Sequence, residues 1–511
     1  MRLIDYFDRG ADLFPERHCL HDGSRGWTYA DVRVETHRVA NGLLALGLGR
    51  GSKAAVYSPN HAAAYACLLG IVRAGVTWAP VNARNALEEN LYILNNTDVE
   101  VLFYHSSFES YLPRIREACA RIRETICIDR PSFEAWLAAQ PAVAPDLPEA
   151  PDDVAFLASS GGTTGRPKGV QITNRNIEAM NSIFWACMPV TSPPVHLMVA
   201  PMTHAAGVCS FPLLAYGGTN IFMGTADPGA ILAAIEKHRV THVYMPPTLI
   251  YMLLAHPDVR KYDYSSLQHL VYASAPMSVD KLVEAIDVFG PVLTQTYGQA
   301  EACMICTFFS PADHVTALEG NKRGRLASCG KISPLVRLET MDDQGRILPR
   351  GERGEIVVRG ALVMKGYYNN PDATAEASAF GWHHTGDIGV IDEDGFVYIV
   401  DRKKDMIISG GFNVFPSEVE QILWGHPAVQ DCAVIGVPDE KWGEAVKAVV
   451  ELKPGAAATA EELIALAKEK LGGVKAPKSV DFIAALPRSP VGKVLKKTLR
   501  EPYWAGQERK I

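Results

Sequence analysis

No stretch of this 511-residue chain stays apolar long enough to cross a bilayer. The longest run, Ala62–Val72, stops at Arg73 and falls short of the ~20 residues a spanning helix needs. An excess of positive charge is also missing. Lys and Arg total 50 against 57 Asp and Glu, a formal net charge of −7, which argues against a nucleic-acid binder held by a basic surface. Cysteines number ten and are scattered, which suits the reduced thiols of a cytosol better than a disulfide framework. One pair, Cys303-x-x-Cys306, has metal-like spacing, but no second close pair or His-x-x-x-His partner accompanies it, so it reads as two ordinary thiols in an apolar segment. His383 and His384 are adjacent, would point apart on a strand, and earn no metal role. Asp5, Asp8 and Asp12 near the N-terminus do not read as a secretory signal. The final Glu508-Arg509-Lys510-Ile511 is neither a lipidation nor a peroxisomal tag. The expectation is a cytoplasmic protein with no integral membrane contact and no nucleic-acid partner.

What is present is a globular composition, 48% hydrophobic and 21% charged, on a chain long enough for about three structural units. Short apolar runs alternate with helical patterns. Lys53–Ser58, Val76–Pro80, Val99–His105 and Thr125–Asp129 read as strands, with His61–Ala74, Asn85–Asn96 and Ser107–Arg121 as helices between them. Residues 141–153 are rich in Pro, Ala and acid and read as a linker. The rhythm resumes with strand candidates Val154–Ser159, His196–Pro201, Asn220–Met223, His242–Pro246, Leu270–Ala273 and Val292–Thr296, and helices Ala230–His238 and Val279–Phe289. From about 330 to 400, short strands and Gly turns read as a small β unit. Past Asp401 the chain restarts as a compact α+β segment. The expected fold is α/β: a large N-terminal domain, residues 1–400, of βαβ-layered parallel sheets plus the small β unit, and a separate small α+β lid, residues 401–511.

The strongest local signal is Ser159-Ser-Gly-Gly-Thr-Thr-Gly-Arg-Pro-Lys-Gly-Val170, directly after an apolar strand. Glycines let backbone N–H groups approach an anion, hydroxyls add donors, and a lysine adds charge. The string does not fit G-x-x-x-x-G-K-[ST], so it is a phosphate-cradling loop of another kind; a flexible turn at a strand end is the bland alternative. Further unusual strings follow: Pro201-Met-Thr-His-Ala-Ala-Gly207, Tyr297-Gly-Gln-Ala-Glu301, Trp382-His-His-Thr-Gly-Asp387, Asp401-Arg-Lys-Lys-Asp-Met-Ile-Ile-Ser-Gly-Gly411 continuing to Pro416-Ser-Glu418, and Leu486-Pro-Arg-Ser-Pro-Val-Gly-Lys493.

With these six strings in order, the chain closely resembles the adenylate-forming enzymes: acyl- and aryl-CoA synthetases, luciferases and peptide-synthetase adenylation domains. The resemblance runs from about residue 10 to 500 and is nearest to fatty-acyl and aryl acid–CoA ligases. It implies two half-reactions. A carboxylate attacks the α-phosphate of ATP, releasing pyrophosphate and leaving an acyl-adenylate; the thiol of coenzyme A then displaces AMP. The implied cofactors and partners are ATP, Mg²⁺, coenzyme A and a small-molecule carboxylic acid. Oligomeric state is not legible, a homodimer being one form open to the chain.

The resemblance also assigns residues. Ser160, Gly162, Thr163, Thr164, Gly165 and Lys168 would hold phosphates, and Glu301 with Thr163 would hold Mg²⁺, a hard cation wanting oxygen ligands. Ser274, Ala275 and Pro276, with Thr296, Tyr297, Gly298 and Gln299, would line the nucleotide site. Asp387 and Arg402 would meet the ribose. Lys493 would bridge the acid and the α-phosphate as a mobile charge, and His204 would close the pocket over the carboxylate. Asp401 would be a hinge, its turn exchanging Lys493 for Gly410 and Gly411 and opening a path for the pantetheine arm. Trp442 would stack on the CoA adenine, and Lys475 and Lys478 would touch its phosphates. Each has a plain competitor: a helix-start carboxylate for Glu301, a turn cap for Asp387, a solvated basic face for Lys493 among Lys496, Lys497 and Arg500, a satisfied buried imidazole for His204, a surface aromatic for Trp442.

Small residues at Ala205, Ala206, Gly207, Ala273 and Ser274 suggest room for a bulky apolar acid. Ala205 stands where amino-acid-activating relatives tend to place an Asp, which argues against an ammonium-bearing substrate. Two positions depart from the pattern. Gly161 replaces a usual serine and Ala300 a usual threonine; each lost hydroxyl costs ~0.5–1.5 kcal/mol if it served phosphate, more with a charged acceptor. Three rivals follow: a stand-alone enzyme loading a carrier-protein thiol, a non-catalytic nucleotide- or acyl-binding relative, and, more weakly, a luciferase-like oxygenase.

Overall fold

The computed structural model describes residues 1–148, 151–160, 167–320, 322–489 and 492–505. Four sheets carry these residues. In the seven-stranded sheet Lys53–Ser58 lies between Thr77–Asn82 and Val101–Tyr104, all parallel. Five of the six residues of Lys53–Ser58 and all of Thr77–Asn82 are buried, the near-continuous apolar pattern of a parallel strand covered on both faces. The nine-stranded sheet has the order Lys331–Ile332, Thr307–Phe309, Leu293–Tyr297, His269–Tyr272, His242–Met245, Val195–Met198, Thr219–Phe222, His18–His21, Gly26–Thr28. Its centre is parallel.

The expectation of parallel sheets holds for these centres and fails at the edges. Gly169–Thr173 runs antiparallel to Val154–Ser159, and Gly366–Tyr367 pairs antiparallel to Gly169–Thr173. Thr307–Phe309 folds back on Leu293–Tyr297 in the same way. Tight returns of this kind need no helical crossover, so the βα rhythm could not announce them. Ser107–Arg121 is not one helix: a 3-10 turn, Ser106–Tyr111, leads into a short α-helix, Leu112–Ala118, with Pro113 fixing its start. The longest apolar run becomes the helix Ala62–Arg73, every residue of it but Ala63 buried. Among the described residues no helix is long and apolar enough to cross a membrane.

The third sheet, Arg337–Met341, Gly354–Arg359, His383–Ile391 and Val397–Arg402, is wholly antiparallel. The fourth is built from Ile407–Ser409, Phe412–Val414, Val429–Asp439, Gly443–Leu452 and Ser479–Phe482. Its own apolar cluster includes Ile407, Val419, Leu423, Val434, Val446, Val450 and Leu463.

Carboxyl ends of parallel strands collect loops, because the helix that follows each strand starts there. Val154–Ser159, Val195–Met198, His269–Tyr272 and Leu293–Tyr297 end at Ser160, at Pro201–His204, at Ser274 and at Gly298–Glu301. Three of these strands are in one sheet and one in the other. The motif residues of the sequence are thus brought to neighbouring strand ends.

Candidate functional site

Asp387 is the buried centre of the site, 3% exposed. Its Oδ1 meets Arg402 Nε at 2.5 Å. Its Oδ2 accepts from Tyr297 Oη at 2.7 Å and from Gln299 Nε2 at 2.9 Å. Asp387 and Arg402 are register partners on adjacent strands, so the sheet itself sets their pairing. Burial pushes Tyr297 well above the usual phenol range, and Asp387 adds to it, so the hydroxyl stays a donor. Burial works to lower Arg402, but Asp387 and then Tyr297 outweigh it, and the guanidinium is held charged. Asp387 lies within the strand His383–Ile391, so it is not a turn cap.

Glu301 starts no helix; it lies in a turn before the strand Thr307–Phe309. Its Oε1 accepts from Tyr367 Oη at 2.9 Å. Lys168 Nζ stands 4.6 Å from the centre of the Tyr367 ring, within reach of the ring's negative face. Ser160 Oγ accepts from Lys168 N at 2.9 Å, and Ser160 N donates to Lys168 O at 2.9 Å, closing the base of the loop. Gly161, Gly162, Thr163, Thr164, Gly165 and Arg166 lie outside the described residues, and so does the Pro490-Val491 part of the last motif.

Lys493 is not on a solvated basic face. Burial lowers its ammonium below the ordinary range, and Arg402 adds to this against Asp387 and Glu301, which favour the charge. Its neighbours are also engaged: Lys496 pairs with Glu420 at 2.7 Å and Arg500 with Asp405 at 2.8 Å. Lys493 N donates to Ser489 Oγ at 3.2 Å. Gly492 packs on the helix Pro247–Leu254: a Cβ added there would stand 2.9 Å from Thr248 Oγ1.

His204 is half-buried and meets Thr203 Oγ1 through Nδ1 at 3.0 Å. Burial, then Lys493 and Arg84, push it down to about 4, so its imidazole is neutral at pH 7. Arg84 was missed in the sequence. It lines a cavity of about 190 Å³ with Ser58, Asn60, Asn82, Ser107 and Thr203, and burial lowers its pKa. Tyr297 was read for its place in a motif, but its hydroxyl contact and the whole of Tyr367 were also missed. The only signal for Tyr367 was an unassigned Gly366-Tyr-Tyr368 string.

Ser274 holds a φ of 74° and meets Tyr244 Oη at 2.6 Å. Ala275 and Pro276 follow it on the same loop. Thr296 Oγ1 is buried with no partner among the described residues. Gly298 passes so close to Met304 that a Cβ would lie 2.5 Å from its backbone carbon. A carboxylate already preset by three donors fits a polar nucleoside.

On the small sheet, Gly410 and Gly411 form the turn of a hairpin with φ of 58° and 81°. A Cβ at Gly410 would lie 2.5 Å from the Trp442 ring, whereas Gly411 faces open space. Trp442 is half-buried rather than exposed, as its charged neighbours had suggested, because it covers Gly410. Lys441 and Lys478 stand 5.0 and 5.7 Å from its ring. Lys475 is paired with Glu418, which also meets Arg353 at 2.9 Å, and Lys478 donates to the carbonyls of Val474 and Ala476. Asp401 accepts from Arg402 N at 2.7 Å and Ser417 N at 2.8 Å, and burial raises its pKa against the pull of Lys496.

Comparison with known proteins covers most of the chain. The model of the AMP-binding enzyme family matches residues 7–368, and that of the AMP-binding enzyme C-terminal domain matches 418–493. The chain belongs to the AMP-binding enzymes. A feruloyl-CoA synthase of Amycolatopsis sp is 38% identical over 503 residues, covering 97% of this chain and 98% of the relative. A medium/long-chain-fatty-acid–CoA ligase of Mycobacterium tuberculosis is 42% identical over 393 residues, 76% of this chain and 67% of the relative. The crystal structure of ATP-bound MatB from Rhodopseudomonas palustris superposes with a TM-score of 0.89 at 30% identity, covering 99% and 100% of the two chains. This AMP-binding enzyme is accordingly an AMP-forming acid–thiol ligase that uses ATP, Mg²⁺ and coenzyme A and works through an adenylate.

Proposed function

We propose that the acid is a hydrophobic one, aryl, alicyclic or fatty, and that the chain activates it with the residues gathered around Asp387. The observation that carries this is the convergence of Lys493, Arg402, Glu301 and His204. The first half-reaction drives a carboxylate onto a polyphosphate, so like charges must be neutralised where they meet. Lys493 and Arg402 are two half-buried cations that repel one another, and an arriving carboxylate and α-phosphate relieve that repulsion. Asp387 accepts the ribose hydroxyls, and Arg402 fixes it for the task. Glu301 would hold Mg²⁺, characteristically bound by one or two carboxylates plus substrate phosphates, and the ion would supply positive charge to the phosphates. His204, uncharged, packs over the acid without adding a second cation.

The reading of the acid as hydrophobic rests on Ala205, Ala206, Gly207 and Ala273 at the strand ends beside His204, and on the aryl and fatty acids named for the two relatives. For the second half-reaction, residues 401–511 turn about Asp401 as a mobile domain against 1–400, withdrawing Lys493 and bringing Gly410–Gly411 to the adenylate. We place the reaction in the cytoplasm.

The test is pyrophosphate release with ATP and Mg²⁺ across aryl, alicyclic and C4–C16 acids, each with and without CoA. Acid-dependent release that becomes multiple-turnover only with CoA supports the proposal. Release unaffected by CoA points to a carrier-protein thiol as acceptor. No release with any hydrophobic acid overturns the assigned substrate class.

A further inference from the structure

The phosphate loop and the Glu301 turn hang on different sheets, yet one nucleotide has to meet both. A single segment ties them together. On one side Leu362 O accepts from Cys303 N at 3.2 Å, and Met364 N donates to Glu301 O at 2.8 Å. On the other, Lys365 N donates to Gln171 O at 3.0 Å and Tyr368 N to Gly169 O at 2.7 Å. Residues 362–368 are therefore a strap, pinned at one end to the carboxylate turn and at the other to the strand that leaves the loop.

Two adjacent tyrosines close the strap on opposite sides. Tyr368 faces outward: its hydroxyl accepts from Lys53 Nζ at 2.8 Å and donates to Asp98 Oδ2 at 2.8 Å. Tyr367 faces the site, donating to Glu301 Oε1 at 2.9 Å, with Lys168 over its ring. Its backbone is held by Thr374 Oγ1, which accepts from Tyr367 N at 2.9 Å. One side chain thus touches the lysine of the phosphate loop with its face and the carboxylate with its hydroxyl.

We propose that Tyr367 is a positioning residue for the metal: its hydroxyl fixes the rotamer of Glu301, and its ring holds Lys168 at a set distance, so that metal and phosphates meet a preset geometry. The inference rests on the reading of Glu301 as the Mg²⁺ ligand. A carboxylate free to rotate would have to be ordered again at each binding event, and ordering a rotamer is a cost preorganisation removes.

The experiment titrates Mg²⁺ in the pyrophosphate-release assay of the full chain, for wild type, Tyr367→Phe, Glu301→Gln and the double variant. Tyr367→Phe keeps the ring and deletes one hydroxyl. A lost hydrogen bond to a charged acceptor predicts a roughly tenfold rise in the Mg²⁺ concentration for half-maximal rate, with the KM for the acid unmoved. In the Glu301→Gln background the same change should add less than about twofold. Thioester formation from supplied acyl-adenylate, which needs no triphosphate, should proceed at the wild-type rate. An unchanged Mg²⁺ requirement in Tyr367→Phe, beside a raised one in Glu301→Gln, overturns the positioning role and leaves Glu301 as ligand. An undiminished effect of Tyr367→Phe in both backgrounds also overturns it, since the phenol would then act independently of Glu301. An unchanged requirement in Glu301→Gln removes the metal ligand itself, and the proposal with it.

Discussion

Asp387 shows how much one side chain can organise. Its two oxygens take Arg402, Tyr297 and Gln299, and all three donors need a carboxylate. Asp387→Asn would turn an NH₂ toward one of them. Hydrogen bonds to charged groups contribute ~1.5–3 kcal/mol each, so the variant should lose tenfold or more in kcat/KM for ATP, read by pyrophosphate release at varied ATP. Tyr297→Phe, which deletes one donor and keeps the acceptor, should lose less. Asp387, Arg402, Glu301 and Lys493 were legible as residues because each sits in a string of unusual composition. Their partners were not. Tyr367 and Arg84 act through contacts made across sheets, 66 residues apart in the case of Tyr367 and Glu301, and no local pattern carries that information.

At the scale of elements, the register of the nine-stranded sheet sets a row of imidazoles. His196 and His269 both stand opposite His242 on neighbouring parallel strands. His196 and His242 are 1% and 2% exposed, and the Nε2 atoms of both are unpartnered among the described residues. Facing them are Asn220, Thr241 and Thr294, which meet His196, His242 and His269 through hydrogen bonds of 3.0, 2.8 and 2.9 Å. Burial pushes His196 and His269 down to about 4 and holds His242 well below the ordinary imidazole range. A folded pKa below the unfolded value of ~6.5 means the unfolded chain binds more protons, so stability falls as pH drops through 6.5 toward 4. Chemical denaturation between pH 7 and pH 5 should show this loss, roughly 1–2 kcal/mol for each of His196 and His269 at pH 5. His196→Gln should make the slope shallower; an identical slope would remove His196 from the effect. The hairpin at Gly410–Gly411 gives a second test. Gly411 faces open space at a φ of 81°, so Gly411→Leu meets no clash and strains the turn by ~1–2 kcal/mol. It should slow thioester formation while sparing adenylation; normal CoA turnover would take Gly411 out of the thiol path.

The strands that position the site were readable because parallel strands buried on both faces are nearly continuous apolar runs. Lys53–Ser58 has the bounds its composition predicts, and so do Val154–Ser159 and the antiparallel Gly354–Arg359, each with an apolar centre. What was not readable is how strands pair beyond the βα unit. The antiparallel edge strand Gly366–Tyr367 is short, and its place beside Gly169–Thr173 depends on contacts almost 200 residues apart.

For the whole molecule, the central claim is that one half-buried lysine serves one of two half-reactions. Lys493 comes from the far end of the chain, yet it feels Arg402, Asp387 and Glu301 and lowers the pKa of His204. On the proposed reading this is the arrangement for adenylation, with the hairpin of Gly410 packed on Trp442. The measurement that tests this most directly separates the half-reactions in Lys493→Ala. Acyl-adenylate formation, followed as acid-dependent pyrophosphate release, should fall by about 10²-fold or more, as for loss of a fixed charge at a developing anion. Thioester formation from supplied acyl-adenylate and CoA should stay within a factor of about three of wild type, since Lys493 is withdrawn from that step. Equal loss in both half-reactions would contradict the account.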